Sequence, residues 1–455
     1  MNRSLLGCLL AASLVGAAAP ACGNGPETVA PSATAVTADV SPQATATAAD
    51  PGPKKLGTSA GVPTTARAPD FDPLTGATAR FGTLGSSVYR IEVPESWNGE
   101  LVLWAHGYAG TGSEVVVDSP PLALRRAIIA DGTAWAASSY SENGYVPGIG
   151  ADDTLALKRL FEREVGQPQR TYIAGLSMGG HVITLLLEYF PHEFDGALAL
   201  CGVMTGIEQV DYVTSWALVA EFVSGRELVR GPGVSREQAR ESLEAIVATL
   251  GSVQNPSAAG LQFLSVIRVL TGGPRPFFLE GAGVAATTVF RNILSDVEEK
   301  LVPTLAASNE HTVYGIEPGL GLSPDQLNAG IVRKKADRAA RNSTNHPDAV
   351  PSTGRITVPL LSLHNTGDLN VPISQEAEFR RRVEAAGAGD LLVQRAIRDG
   401  GHCMFTAAEL TTAWKDLRSW VVDGQKPGGD DMLGDLTDVG RQFTNPIRRG
   451  DPGTR

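Results

Sequence analysis

Thr171-Tyr172-Ile173-Ala174 runs straight into Gly175-Leu176-Ser177-Met178-Gly179-Gly180, and this stretch decides the fold. The first part reads as a short buried strand, and the second matches G-x-S-x-G. From Gly180 to Phe190 the apolar spacing is that of a helix, which Pro191 stops. A strand-turn-helix passage of this kind sets the serine on a tight bend with its hydroxyl outward. Gly175 and Gly179 are the positions at which a side chain would block backbone segments that cross there. The helix N-terminus aims N–H groups at the same point, which suits an oxygen that becomes negative.

Upstream, Val88-Tyr89-Arg90-Ile91-Glu92-Val93 alternates with period two and ends at Pro94, and Asn98-Gly99 predicts a hairpin turn. Leu101-Val102-Leu103-Trp104-Ala105 leads as a buried strand into His106-Gly107-Tyr108. Thr133 to Ser139 and Gly196 to Leu200 read as further strands, and Asp153 to Val165 as a helix. Downstream the rhythm lapses. From about Thr205 to Ser343 helical stretches follow one another without a clear strand, Ser235–Leu250 and Gly260–Leu270 being the plainest. It resumes with a strand over Ile356–Leu363, a helix over Ser374–Ala386, a strand over Leu391–Ile397 and a helix over Thr406–Val422. Alternation of this kind predicts an α/β fold with a mostly parallel central sheet flanked by helices. The insertion at about 205–343 reads as a helical cap over the C-terminal edge of that sheet, where ligands bind in open α/β folds. Trp216, Phe222, Phe263, Phe277 and Phe278 are candidates for its inner face, although packing within the cap is the larger expectation for each.

The chain has 455 residues and a formal charge of −11, with charged residues only 19 % and hydrophobic ones 42 %. That balance supports a large core and excludes nucleic acid as the expected partner. No metal or other cofactor is expected, because H-E-x-x-H, EF-hand and C-x-x-C patterns are all missing from the sequence. Gly107-Tyr108-Ala109-Gly110-Thr111-Gly112 lacks the Lys-Ser/Thr end of a phosphate-binding loop. Arg333-Lys334-Lys335, with Arg338 and Arg341, predicts a solvated helix face.

Met1-Asn2-Arg3 followed by the apolar run Leu5–Ala19 predicts a signal peptide over residues 1–22. Ala19-Pro20-Ala21 suits simple secretion. The same residues with Cys22 resemble a lipobox, so lipidation at Cys22 and membrane attachment in a bacterial cell envelope is the other exit. Residues 23–70, rich in Ala, Thr and Pro, read as a disordered linker, and 71–455 as one folded domain.

Together, G-x-S-x-G at Ser177, Gly367-Asp368-Leu369-Asn370-Val371-Pro372 and Gly400-Gly401-His402 resemble the α/β-hydrolase superfamily, over roughly residues 80–205 and 350–425. The resemblance implies that fold and a triad of Ser177 as nucleophile, Asp368 as acid and His402 as base, with Asp399 the next carboxylate in line. It also implies an oxyanion hole made by the N–H groups of Met178 and Tyr108. Among the other histidines, His106 would brace the oxyanion loop, His181, four residues after Ser177 on the same helix, would support the core or else line the pocket, and His364 would sit at a strand end near Asp368. His192, His311 and His346 read as structural. His402-Cys403 also looks like secreted feruloyl esterases and tannases, whose histidine is followed by a disulfide-bonded cysteine, although Leu176 stands where their partner cysteine would be. The implied activity is hydrolysis of small or polymeric esters through an acyl-enzyme. A serine peptidase of the same fold and a binding protein without catalysis are the alternatives.

Cys8 falls in the signal peptide and Cys22 at its end, which leaves Cys201 and Cys403 in the folded domain. Export places both in an oxidising compartment, and both are expected above the same sheet edge, so a disulfide between them is predicted.

Overall fold

The computed structural model describes residues 55–57, 64–66, 71–229, 234–286, 288, 305–448 and 451. The expected signal peptide, Cys22 and most of the expected linker lie outside these residues. Eight strands form the central sheet: β1 (Ala77–Leu84), β2 (Ser87–Pro94), β3 (Glu100–Ala105), β4 (Ala134–Ser138), β5 (Arg170–Leu176), β6 (Gly196–Leu200), β7 (Leu360–Asn365) and β8 (Leu392–Ile397). Their order across the sheet is β8-β7-β6-β5-β3-β4-β2-β1. The pairings from β4 to β8 are all parallel, and β2 joins antiparallel to both β4 and β1. This is the α/β-hydrolase fold that the sequence led us to expect.

The central strands form because their interiors are apolar, as a strand covered on both faces requires; every residue of β3, β4 and β6 is buried, and among them only Glu100 and Ser138, at strand ends, are polar. One face is covered by α2 (Pro147–Glu164), α3 (Met178–Tyr189) and α8 (Ser374–Ala385), whose Leu155, Phe161, Val182, Leu186 and Phe379 join a single core. The other is covered by α1 (Leu122–Ala130) and α9 (Ala407–Asp423), around Trp104, Trp135, Tyr172 and Trp414.

Asn98-Gly99 does not close a hairpin, because β2 and β3 are not neighbours: β4 lies between them. The turn docks instead on the loop before β4. The Asn98 side chain accepts from Glu100 N–H at 2.8 Å and donates to Asp131 O at 2.9 Å, while Gly99 takes φ +85°. The hairpin of the central sheet joins β1 to β2, where Leu84 pairs with Ser87. β7 starts at Leu360 rather than at Ile356. Pro359 has no N–H to give the ladder, and Leu360 opposite Ala197 is the first β6–β7 pair. Packed chain also begins upstream of residue 71. Leu56 is buried, and the Leu56 and Gly57 N–H groups each donate to the Asp152 carboxylate at 3.0 Å. Further along, Thr65–Ala66 pairs parallel with Glu114–Val115.

The insertion between β6 and β7 contains α4 (Glu208–Ser224), α5 (Arg236–Leu250), α6 (Ala258–Leu270), a helical stretch over 278–286 and α7 (Pro324–Gly330). Ser235 caps α5 through a reciprocal capping box with Gln238, which explains why that start was legible. Trp216, Phe263 and Phe278 pack into the insertion's own core, with the Trp216 and Phe263 rings edge-on at 5.1 Å. The basic cluster is not a helix face. Arg333 lies over Tyr314 and donates to Asn309 O and Thr312 O, and Arg341 pairs with Asp211 at 2.8 Å. Those guanidinium groups satisfy loop carbonyls and a carboxylate inside the insertion. Among the described residues no helix is long and apolar enough to cross a membrane.

Candidate active site

Ser177 sits between β5 and α3 with φ 54° and ψ −121°, a left-handed backbone that a non-glycine residue avoids. Such a conformation costs on the order of 1–3 kcal/mol and persists only where its surroundings hold it. Here they do. Ser177 N–H donates to Leu200 O at 3.0 Å, and Ser177 O accepts from Gly180 N–H and Val203 N–H, each at 2.9 Å. A Cβ added at Gly175 or Gly179 would lie 2.5 or 2.1 Å from Ala105 O, so the end of β3 passes where only glycine leaves room.

The loops after β7 and β8 meet this turn from the side. His402 Nε2 lies 2.9 Å from Ser177 Oγ, and His402 Nδ1 lies 2.6 Å from Asp368 Oδ2. Asp368 is buried, and its Oδ1 accepts from Asn370 N–H at 2.9 Å and Val371 N–H at 3.2 Å. Both carboxylate oxygens therefore have partners, as a buried charge requires. Asp399, the other carboxylate in line, turns elsewhere: it accepts from Gly401 N–H at 2.8 Å and pairs with Arg448.

The two loops are also spliced to each other. Thr366 N–H donates to Ile397 O, and Gly367 N–H to Asp399 O. The Asn365 side chain both donates to Met404 O and accepts from Met404 N–H, at 2.8 and 2.9 Å. Cys201 and Cys403 are joined by a disulfide, with Cα atoms 5.2 Å apart. With His402 they form the His/Cys cluster whose atoms lie close enough for a metal, but both sulfurs are bonded to each other and neither is a thiolate. Arg398, just before the histidine loop, is fully buried and paired with Asp451, and also donates to Val439 O. Asn365 and Arg398 carried no signal in the sequence, because their partners lie tens of residues away.

On the opposite side of Ser177 the chain after β3 comes close. A Cβ at Gly107 would lie 3.1 Å from Ser177 Cβ, which brings Tyr108 to the same edge as Met178, the first residue of α3. His106 braces this loop: its ring stacks on Tyr140 at 3.8 Å, its Nδ1 lies 2.7 Å from Gly107 O, and Tyr140 Oη donates to His106 O. Burial draws the His106 pKa below its ordinary value. His181 lies on α3 under the serine turn, 2.9 Å from Tyr145 Oη, and complete burial pulls its pKa down to about 3. It supports the core from behind.

The helical insertion touches the acid loop directly. Tyr212 Oη donates to Leu369 O at 2.7 Å, Gln209 Nε2 to Asn370 O at 2.6 Å and Arg275 Nε to Thr366 O at 2.7 Å. Desolvation lowers the Arg275 pKa to about 10, and the negative charge of Asp368 opposes that shift. A Cβ at Gly281 would fall 1.6 Å from Gly367 O, so the 278–286 helix rests on the loop that carries Asp368. None of these insertion contacts was singled out from sequence.

No family model matches the chain. The o-phthalyl amidase of Xanthobacter agilis is 22% identical over 419 residues, covering 79% of this chain and 91% of that relative. Among solved structures, feruloyl esterase B from Aspergillus oryzae is similar over 76% of this chain and 80% of its own, at 12% identity and a TM-score of 0.43. A hormone-sensitive lipase from a metagenome library covers 78% and 88%, at 13% identity and a TM-score of 0.39. The acylaminoacyl peptidase of Pyrococcus horikoshii covers 79% of this chain at 12% identity and a TM-score of 0.39, and this chain spans only 45% of that enzyme's length.

Proposed function

We propose that the protein is a serine hydrolase that cleaves carboxylic esters through an acyl-enzyme at Ser177. The observation that carries this reading is the continuous contact Ser177 Oγ–His402–Asp368 at 2.9 and 2.6 Å, on a strained strand-to-helix turn. A serine hydroxyl is a weak nucleophile until a base takes its proton. His402 Nε2 takes that proton as Oγ adds to the ester carbonyl, and Asp368 stabilises the imidazolium that results. The carbonyl oxygen, now negative, is received by the N–H groups of Met178 and Tyr108. His402 then returns the proton to the leaving alcohol, and water, activated by the same imidazole, releases the acid and restores Ser177.

An amide substrate is the second reading, favoured by the relative named an amidase. It uses the same groups, with His402 protonating a leaving nitrogen. The helical insertion serves in either case as a cap that selects what reaches Ser177. Export follows from the N-terminal sequence, with anchoring through a lipid on Cys22 or release as a secreted protein; fatty-acid labelling lost in Cys22→Ala separates the two. The test of activity is a panel of p-nitrophenyl esters beside aryl amides and aminoacyl amides. Ester turnover well above amide turnover supports the first reading, the reverse supports the second, and turnover of neither overturns both.

A further inference from the structure

Behind Asp368, on the side away from His402's own loop, lies a second histidine that the mechanism above does not use. His364 is the penultimate residue of β7 and is fully buried. Its Nδ1 lies 3.0 Å from Glu376 Oε1 and its Nε2 2.9 Å from Val371 O. A backbone carbonyl can only accept a hydrogen bond, so Nε2 carries a proton. Glu376, from α8, is equally buried; its Oε1 accepts from Ser362 Oγ at 2.6 Å and its Oε2 from Gln394 Nε2 at 2.5 Å. Two donors thus favour the ionised form of Glu376, and because a carboxylic acid is a stronger acid than an imidazolium, the proton shared across the 3.0 Å contact stays on Nδ1. A ring with protons on both nitrogens is an imidazolium.

We infer that His364 is a positively charged positioning residue for the acid of the triad, held by Glu376 and set against Asp368 from behind. Its Nε2 lies 3.8 Å from Asp368 Oδ2, the oxygen that contacts His402. That separation is too long for a hydrogen bond, and the charge acts through space. Burial alone would strip the ring of its second proton, but the hydrogen bond and charge of Glu376, with the charge of Asp368, raise its pKa overall. The charged groups that face the ring are Glu376 from α8 and Asp368 from the loop after β7. Arg275 of the insertion, bound to Thr366 O, is a further charge acting on Asp368. Without His364 the site would bury two carboxylates close together. With it, the negative charge felt by His402 is partly offset, so the resting imidazole stays neutral, and able to take the serine proton, down to lower pH.

This inference rests on the triad reading, and its tests separate the two. In full-length protein labelled with ¹⁵N-histidine, without substrate, both ring nitrogens of His364 should carry protons at neutral pH; its signal is identified by loss in His364→Gln. A neutral ring with one bare nitrogen overturns the inference and leaves the triad untouched. Glu376→Gln should turn that signal into a neutral imidazole. In the same variant the acid limb of the kcat/KM profile should move up by about one pH unit, with KM at the optimum little changed. His364→Gln should move it the same way. A lower rate with an unmoved acid limb, in folded Glu376→Gln, would show a merely structural role and overturn the inference.

Discussion

Ser177 is held by its own neighbourhood, while Asp368 and His402 are held by distant parts of the chain. The serine turn takes its glycines, nearly all of its strand and the start of its helix from Thr171–Gly180, and β3 and β6 complete it. The acid and histidine loops depend on Asn365, on Arg398 with the returning C-terminal segment, on the Cys201–Cys403 bond and on Tyr212 and Arg275 of the insertion. A nucleophile that must be strained is built locally, where a short motif can impose the strain. A base and its acid that must be aimed are built from many directions. Changes on the second side should therefore alter aim, stability or pH response while leaving the serine turn intact.

The largest such effect is expected for Asp368→Asn, which keeps the shape of the loop but removes the charge that stabilises the imidazolium. A fall of about 10⁴ in kcat with little change in KM is expected. A silent Asp368→Asn beside an inactive Asp399→Asn would transfer the acid's role and break the comparison. Replacing both Cys201 and Cys403 with serine should cost about 5 kcal/mol, because the bond closes a loop with a sequence separation of 202. Denaturant unfolding reads this, with activity below the transition falling far less than in the triad variant.

His181 gives the serine side its own pH signature. Its folded pKa, about 3, lies below that of an exposed histidine, near 6.5. The unfolded chain thus binds a proton that the folded one refuses. The stability at stake is fully present above about pH 6.5 and is lost as the pH falls toward the folded value, a loss on the order of several kcal/mol. His181→Gln should flatten that part of the stability–pH curve. The smallest of these effects is expected for Arg275→Met, which leaves Thr366 O without its guanidinium donor; misplacing the acid slightly should lower kcat roughly 10- to 100-fold with the fold retained. Arg275→Lys, which keeps the charge without the forked geometry, should recover only part.

The same division explains what could be read from the amino acids. Ser177, Asp368 and His402 each stand within two residues of a glycine, shortly after a strand, and the strands at the middle of the sheet announced themselves by their apolar interiors. The two cysteines could be paired because the others fall at the N-terminus. Asn98-Gly99 marked a turn correctly but could not say which strand would lie alongside, since that is decided by β4 inserting between β2 and β3. β1 leaves no signal in the amino acids because it is half-exposed and lacks an apolar run. Arg333-Lys334-Lys335 carried charge at helical spacing, yet the partners of Arg333 are loop carbonyls that no local pattern reveals. Leu56 is a single apolar anchor in an Ala/Thr-rich segment, and its significance lies in Asp152, far along the chain.

The central claim is that the Ser177 hydroxyl carries the covalent step. Its most direct test is to treat the full-length protein and Ser177→Ala with a fluorophosphonate probe and to measure ester turnover of both. The probe should label Ser177 alone and leave the variant unlabelled, and turnover of the variant should fall by about 10⁴ to 10⁶ with the melting temperature unchanged. A folded Ser177→Ala that is still labelled, or that keeps more than about a tenth of the turnover, would contradict it.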